Sequence, residues 1–354
     1  MNHRPRASSV SRACGLTAGF LLDRAIGDPC RYHPVAGFGA LALRMEEAMY
    51  ADRRAPGVAH VALLVGPAVV GGVLLERSLR HRPVTHALAT AATTWVVLGG
   101  TSLVREADGI GRLLEADDLP AARRAITALV SRDPAEMDQA AVTRACVESV
   151  AENTSDAVTG ALVWGAVAGV PGLAAYRCIN TLDAMIGYRN PRYARFGWAA
   201  ARSDDLLNLI PARLTALLVA GLAPLLGGSP ARVWRTVVRD APAHPSPNGG
   251  VVEAAFAAAL GVRLGGSNRY GGRLEDRGTL GDGAPPVVTD IARAATLSRY
   301  AGWAALAVGA AAALARPTGR RWRAAPAGPR RSRALPGRPC GRRWPRRHRR
   351  SRAR

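Results

Sequence analysis

Two stretches of nineteen residues, Gly57–Leu75 and His86–Val104, contain no Asp, Glu, Lys or Arg. As helices, each is about long enough to cross a ~30 Å hydrocarbon core. Three further apolar stretches follow. Ala157–Tyr176 has Pro171 inside it, Leu206–Leu226 is interrupted by Arg213, and Tyr300–Ala315 is shorter. Together they predict an all-α, polytopic integral membrane protein whose polar loops form a site. A soluble bundle of unusually apolar helices is the rival reading. The abundance of Ala and Gly suits close helix packing in lipid.

Net charge has to be located before it can be interpreted. The chain of 354 residues carries +22, which at first suggests a nucleic-acid partner. Residues 316–354, however, hold sixteen of the 48 arginines and no acid, leaving about +6 for residues 1–315. The expectation is a membrane-embedded domain over 1–315, a disordered tail over 316–354, and no nucleic-acid partner. The tail reads either as an incidental extension or as an anchor on anionic lipid. There is no lysine in the chain, which excludes a P-loop lysine and Schiff-base chemistry. Five scattered cysteines indicate neither a zinc ribbon nor a disulfide framework. Arg4, Arg6 and Arg12 before the apolar run Ala13–Leu22 superficially resemble a signal peptide. Asp23-Arg24 interrupts the run, and a retained N-terminal helix is expected.

Between the second and third apolar stretches lies the polar segment Arg105–Asp156. Asp117-Asp118-Leu119-Pro120 predicts one helix start. Asp133-Pro134-Ala135-Glu136 predicts another, with Asp as N-cap and Pro at the first helical position. That second helix should run into the densest polar motif of the chain, Glu148-Ser149-Val150-Ala151-Glu152-Asn153-Thr154-Ser155-Asp156. Carboxylates beside a membrane segment are costly and tend to mark sites. Glu148, Glu152 and Asp156 stand at i, i+4 and i+8, within about 80° of arc on a helix. Such a face asks for a cation, and Mg²⁺ suits oxygen ligands. The alternative is a solvated face on which Arg144 pairs with Glu148.

Two more acid/amide groups follow: Asn180 with Asp183, and Asp204-Asp205 with Asn208. Either group holds a cation or a polar ligand, or else caps a helix. Arg177, Arg189, Arg192, Arg195 and Arg202 surround them, a setting suited to a phosphorylated substrate. The turn at His244-Pro245-Ser246-Pro247-Asn248-Gly249-Gly250 should open an Ala-rich helix containing Glu253. Its glycines would let backbone amides approach an anion. Gly265–Gly272 is a second glycine-rich loop, with an ordinary turn as the competing reading. Leu22–Gly37 carries turn signals at Gly27-Asp28-Pro29 and His33-Pro34, but its chemistry is not readable from first principles.

As an ordered set, five motifs resemble one family: LDRAIGDPCRYHPVAG (22–37), ESVAENTSD (148–156), YRCINTLDAMIGY (176–188), DDLLNLIPAR (204–213) and HPSPNGGVVEAAF (244–256). It is the membrane-bound CobD/CbiB type of adenosylcobinamide-phosphate synthase in cobalamin biosynthesis. The likeness covers roughly residues 13–315, and the Arg-rich tail departs from it. The resemblance implies a bacterial cytoplasmic-membrane ligase. It would join adenosylcobyric acid to (R)-1-aminopropan-2-ol or its O-phosphate through an amide bond, with ATP and Mg²⁺, beside other corrinoid-pathway enzymes.

On this reading Glu152, Asp156 and Asp183 carry the catalysis, with Glu148, Glu152 and Asp156 as Mg²⁺ ligands. Asn153, Asn180, Arg202, Asp204, Asp205, Asn208, Arg213, His244, Asn248, Gly249, Gly250 and Glu253 bind substrate. Arg202 or Arg213 would neutralise the amino alcohol's phosphate. Two rivals predict different outcomes. A transporter should show broken helices in two repeated halves, and no internal repeat is visible. A non-catalytic assembly partner should tolerate replacement of the acidic motifs.

Overall fold

A computed structural model describes residues 4–28, 33–130, 134–270 and 273–315; the tail expected over 316–354 lies outside the described residues. The chain is an all-α membrane protein, with one antiparallel strand pair among the described residues. Its helices are α1 (Arg4–Ile26), α2 (Pro34–Met49), α3 (Arg54–Leu79), α4 (Pro83–Val97), α5 (Gly100–Glu115), α6 (Leu119–Ile126), α7 (Gln139–Thr154), α8 (Gly160–Ala168), α9 (Val170–Ile186), α10 (Tyr193–Phe196), α11 (Trp198–Leu207), α12 (Leu209–Leu222), α13 (Pro230–Asp240), α14 (Gly249–Leu260) and α15 (Thr289–Ala315). A π-helical turn, Ser155–Thr159, joins α7 to α8.

Among the described residues, four helical segments are long and apolar enough to cross a membrane: Arg54–Leu79, Pro83–Glu115, Leu209–Leu226 and Thr289–Ala315. Their outward faces carry large apolar side chains, including Leu63, Val70 and Leu74 on α3, Leu88 on α4, Leu217 on α12 and Trp303 on α15. Water would penalise so much exposed apolar surface, whereas lipid does not. The second of these segments is broken at Leu98-Gly99, so His86–Val104 straddles two helices. Asp23 caps the new start: its Oδ2 accepts from Thr101 N at 3.2 Å and from Thr101 Oγ1 at 3.0 Å.

The stretch Ala157–Tyr176 does not form the expected third span. It turns back at Gly169, where φ is +68° and ψ −145°, a conformation essentially reserved for glycine. Pro171 sits in the first turn of α9, where a missing N–H costs little. Helices α8 and α9 then pack as a tight antiparallel hairpin. A Cβ on Gly160 would meet the Tyr176 ring at 2.2 Å, and one on Gly172 would meet Trp164 O at 2.3 Å.

The caps follow the sequence in part. Asp118 accepts from Ala121 N as expected. His33 Nδ1 accepts from Val35 N, so His33-Pro34 opens α2. Helix α7, in contrast, begins at Gln139 with Asp138 as its cap, five residues beyond the predicted Asp133. Asp133 itself lies outside the described residues. Of Gly265–Gly272, read as a glycine-rich loop, residues 265–270 lie in the first of two antiparallel strands, β1 (Leu264–Tyr270) and β2 (Arg273–Leu280), with a bulge between Gly265 and Ser267, and residues 271–272 lie outside the described residues. Gly265 and Gly278 both take positive φ, and a Cβ on Gly265 would strike Gly278 O at 2.1 Å.

One core cluster surrounds α14, every residue of which is buried; it gathers Ile110, Leu114, Val142, Cys146, Phe256 and Leu297. A second joins Leu16, Phe20, Leu98, Leu162, Leu173 and Tyr176. A third holds Leu64, Leu182, Ile186 and Phe196. The polar residues of α7, α9 and α11 meet where these clusters adjoin.

Candidate active site

The turn-back at Gly169 brings the end of α7 against the middle of α9. Asn180 Nδ2 then stands 3.4 Å from Asp156 Oδ2 and 3.4 Å from Asp204 Oδ1, so two carboxylates converge on one amide. Asn208 Nδ2 donates to the other oxygen of Asp204 at 2.9 Å. Its Oδ1 accepts from Tyr176 Oη at 2.7 Å, and the same hydroxyl lies 2.9 Å from Asp156 O. Tyr176 and Asn208 are each 1% exposed, so this is a locked frame rather than a solvated surface.

The sequence identified no role for Tyr176. Its signal was only an aromatic residue one position before an arginine in a polar motif. The π-helical turn at Ser155–Thr159 carries Asp156 into the frame, and such turns recur at functional sites.

Asp183 and Glu152 complete an over-negative group. Burial, then Asp204, Asp205 and Glu152, push the Asp183 carboxyl up to about 8. Burial raises Asp204 to about 6, opposed by its hydrogen bonds from Asn208 and Asn180. Glu152, Asp156, Asn180, Asp183 and Asp205 are all half-buried, so the group is partly accessible. Chemically, it suits a cation or a proton donor such as an ammonium group.

The remaining expected residues are distributed differently. Glu148 stands two helical turns, about 12 Å, from Asp156. Sharing an arc is therefore not enough to share an ion. Its Oε1 accepts from Gly265 N at 2.8 Å, and Arg144 lies 3.8 Å away. Among the described residues no three acidic, histidine or cysteine side chains are arranged to hold a metal, so the Glu148/Glu152/Asp156 cage is not formed.

Glu148 instead belongs with a second buried group around His244 and Glu253. His244 Nε2 is 3.5 Å from Glu253 Oε1, with Arg277 Nη1 4.0 Å from the same oxygen. Burial, then Arg277, lowers His244 to about 4, which leaves the imidazole neutral. Asn248 links the two groups: its Nδ2 donates to Asp205 O at 2.7 Å, and its Oδ1 accepts from Arg213 at 2.5 Å.

Three expected ligand groups already have partners within the chain. Asn153 Nδ2 is committed to Ser149 O, and Arg202 to Asp205. Gly249 N donates to Ser246 Oγ. Gly250 serves packing, since a Cβ there would fall 2.4 Å from the Cβ of His244. Of the anion cradle expected from these two glycines, the Gly249 N–H is therefore already engaged by Ser246.

Helices that cross lipid, a chain that turns back at Gly169, and a buried cluster of carboxylates and amides define a polytopic membrane protein with an enzyme-like polar centre. Comparison with known proteins gives the family. The family model described as CobD/Cbib protein matches residues 16–298. A protein called "Cobalamin biosynthesis protein CobD" from Mycobacterium tuberculosis is 55% identical over 304 residues, covering 84% of this chain and 95% of its own. Proteins of the same name from Chromobacterium violaceum and Geobacter metallireducens are 43% and 44% identical over 314 and 274 residues, or 86% and 75% of this chain and 98% and 86% of their own. No solved structure matches. The chain belongs to the CobD/CbiB family and to cobalamin biosynthesis.

Proposed function

We propose that the chain is an ATP-dependent ligase of the bacterial cytoplasmic membrane. It would form an amide between a carboxylate of adenosylcobyric acid and (R)-1-aminopropan-2-ol or its O-phosphate. The observation that supports this best is the convergence of Asp156 and Asp204 on Asn180, with the raised carboxyl of Asp183 beside them.

A carboxylate does not accept an amine at neutral pH without activation. Its oxygen attacks the terminal phosphorus of ATP, releasing ADP and leaving an acyl phosphate. The amine nitrogen then attacks the acyl carbon, inorganic phosphate leaves, and one proton must be removed from nitrogen. A general base performs best with a pKa near the working pH, and Asp183 at about 8 meets that condition.

Mg²⁺ is usually held by one or two carboxylates together with substrate phosphates. Asp156 and Asp204 supply such a pair, and the ion would contribute neutralisation of phosphate charge. Asn180 and Asn208 orient these carboxylates, and Tyr176 fixes Asn208. Adjacent corrinoid-pathway enzymes would supply the acid and take the product.

The test is product analysis by mass spectrometry. Protein purified in detergent receives adenosylcobyric acid, ATP–Mg²⁺ and either amine. One amide condensation is expected with the wild type and none with Asp183→Asn. Folded wild-type protein that yields no product with either amine would overturn the proposal. Full activity in the variant would remove Asp183 from the mechanism.

A further inference from the structure

Arg177 stands on α9 one turn before Asn180, beside the Asp156–Asp204 frame. The arginines around it are engaged: Arg202 with Asp205, Arg213 with Asn248, and Arg192 with Glu46. The Arg177 side chain makes no hydrogen bond or ion pair among the described residues. Its Nε is enclosed and has no acceptor. Leaving a buried charged donor without a partner is costly, and such groups in a native protein call for an explanation. The rest of the side chain is half-buried and reachable. Asp28 and Asp156 lie within electrostatic range of its guanidinium. Asp28 belongs to the N-terminal motif whose chemistry the sequence left unread.

The centre thus has two poles. Asp183 and the Asp156–Asp204 pair form a negative pole, and Arg177, one to two turns earlier, forms a positive one. A simple cation would satisfy only the first. A zwitterion, with an ammonium at one end and an oxyanion at the other, satisfies both. We infer that Arg177 binds the phosphate of a phosphorylated amino alcohol and so sets the preference for that form over the free one. The planar guanidinium fork matches phosphate oxygens in a bidentate arrangement that an ammonium does not reproduce.

This inference rests on the ligase reading, and its test separates the two. Steady-state kinetics are measured on detergent-purified full-length protein with aminopropanol phosphate, free aminopropanol and adenosylcobyric acid. The wild type is compared with Arg177→Gln and Arg177→Lys, with melting temperature reporting folding. For Arg177→Gln, the expected result is a KM for aminopropanol phosphate raised about a hundredfold, with the constants for free aminopropanol and the corrinoid little changed. Arg177→Lys should recover part of the loss. Inorganic phosphate should compete with aminopropanol phosphate in the wild type and no longer do so in Arg177→Gln.

A folded variant with unchanged KM for the phosphorylated amine would overturn the inference while the ligase reading stands. A rise confined to adenosylcobyric acid would overturn it in favour of the corrinoid carboxylate as the bound oxyanion. Absence of turnover in the wild type would sink the ligase reading itself; in that case phosphate protecting the wild type, but not Arg177→Gln, against thermal unfolding would still support Arg177 as an oxyanion site, and no difference would overturn it.

Discussion

Two titratable groups in this protein carry opposite pH signatures. Asp183 is raised in the fold to about 8 from an ordinary value of 3.8. Between those values the folded state keeps a proton that the unfolded chain releases, so stability falls as pH rises through that window. Asp183→Asn should therefore melt higher than the wild type at pH 8, by about 2–3 kcal/mol once the effect is shared among its coupled neighbours. The difference should vanish near pH 4. Thermal melts at the two pH values check this. The same variant should lose amide formation, and kcat/KM of the wild type should climb with pH with an apparent pKa below the metal-free value of about 8, because Mg²⁺ on Asp156 and Asp204 would favour the charged carboxylate. His244 behaves in the reverse sense. Its folded value of about 4 lies below the ordinary 6.5, so its contribution is fully present above 6.5 and is lost as pH falls toward 4. His244→Gln should flatten the acid side of the stability profile, measured by denaturation between pH 4 and 7.

The α8–α9 hairpin decides where the site forms. Its turn depends on Gly169, whose φ and ψ exclude a side chain and whose Cβ would lie 2.0 Å from Glu76 Oε1. Gly169→Ala should cost about 2–4 kcal/mol and displace Asp156 from Asn180. A lower melting temperature together with reduced turnover at saturating substrate would show the link; loss of stability alone would not. The sequence displayed Gly169 and Pro171 inside an apolar stretch, and the stretch passes the length criterion for a span. Length and hydropathy do not distinguish one crossing from two short helices folded back on each other. That distinction comes from the interhelical fit of Gly160 under Tyr176 and Gly172 against Trp164.

Across the whole molecule, a buried ionic link ties distant parts of the chain. Arg12 Nη2 is 2.8 Å from Glu76 Oε1, His86 Nε2 is 3.3 Å from the same oxygen, and Ser11 Oγ is 2.8 Å from His86 Nδ1. Helices α1, α3 and α4 are joined there, next to the Gly169 turn. Removing one partner strands the others in a low-dielectric environment, so Glu76→Ala should destabilise the protein by about 3 kcal/mol. Glu76→Gln, which keeps the volume and one acceptor, should cost less; detergent melts of both variants check the order. Ser11 and Arg12 on α1 are thus packed into one polar group with α3 and α4.

Much of this was legible in the chain itself. Apolar length marked the four candidate spans, though not the fold-back within Ala157–Tyr176, because crossing ~30 Å of hydrocarbon is a local requirement on consecutive residues. Asp118-Leu119-Pro120 specified a cap, and the acid/amide motifs marked Asp156, Asn180, Asp183, Asp204 and Asn208, since ionisable groups beside apolar spans are rarely incidental. Tertiary structure alone decided how those residues were divided. It assigned Glu148 to the His244–Glu253 group, committed Arg202, Arg213 and Gly249 to partners within the chain, and left Arg177 available. Periodicity gives the face of a helix on which a carboxylate lies. The distance along that helix and the identity of the opposing element depend on a chain reversal at one glycine and on contacts between residues far apart in sequence.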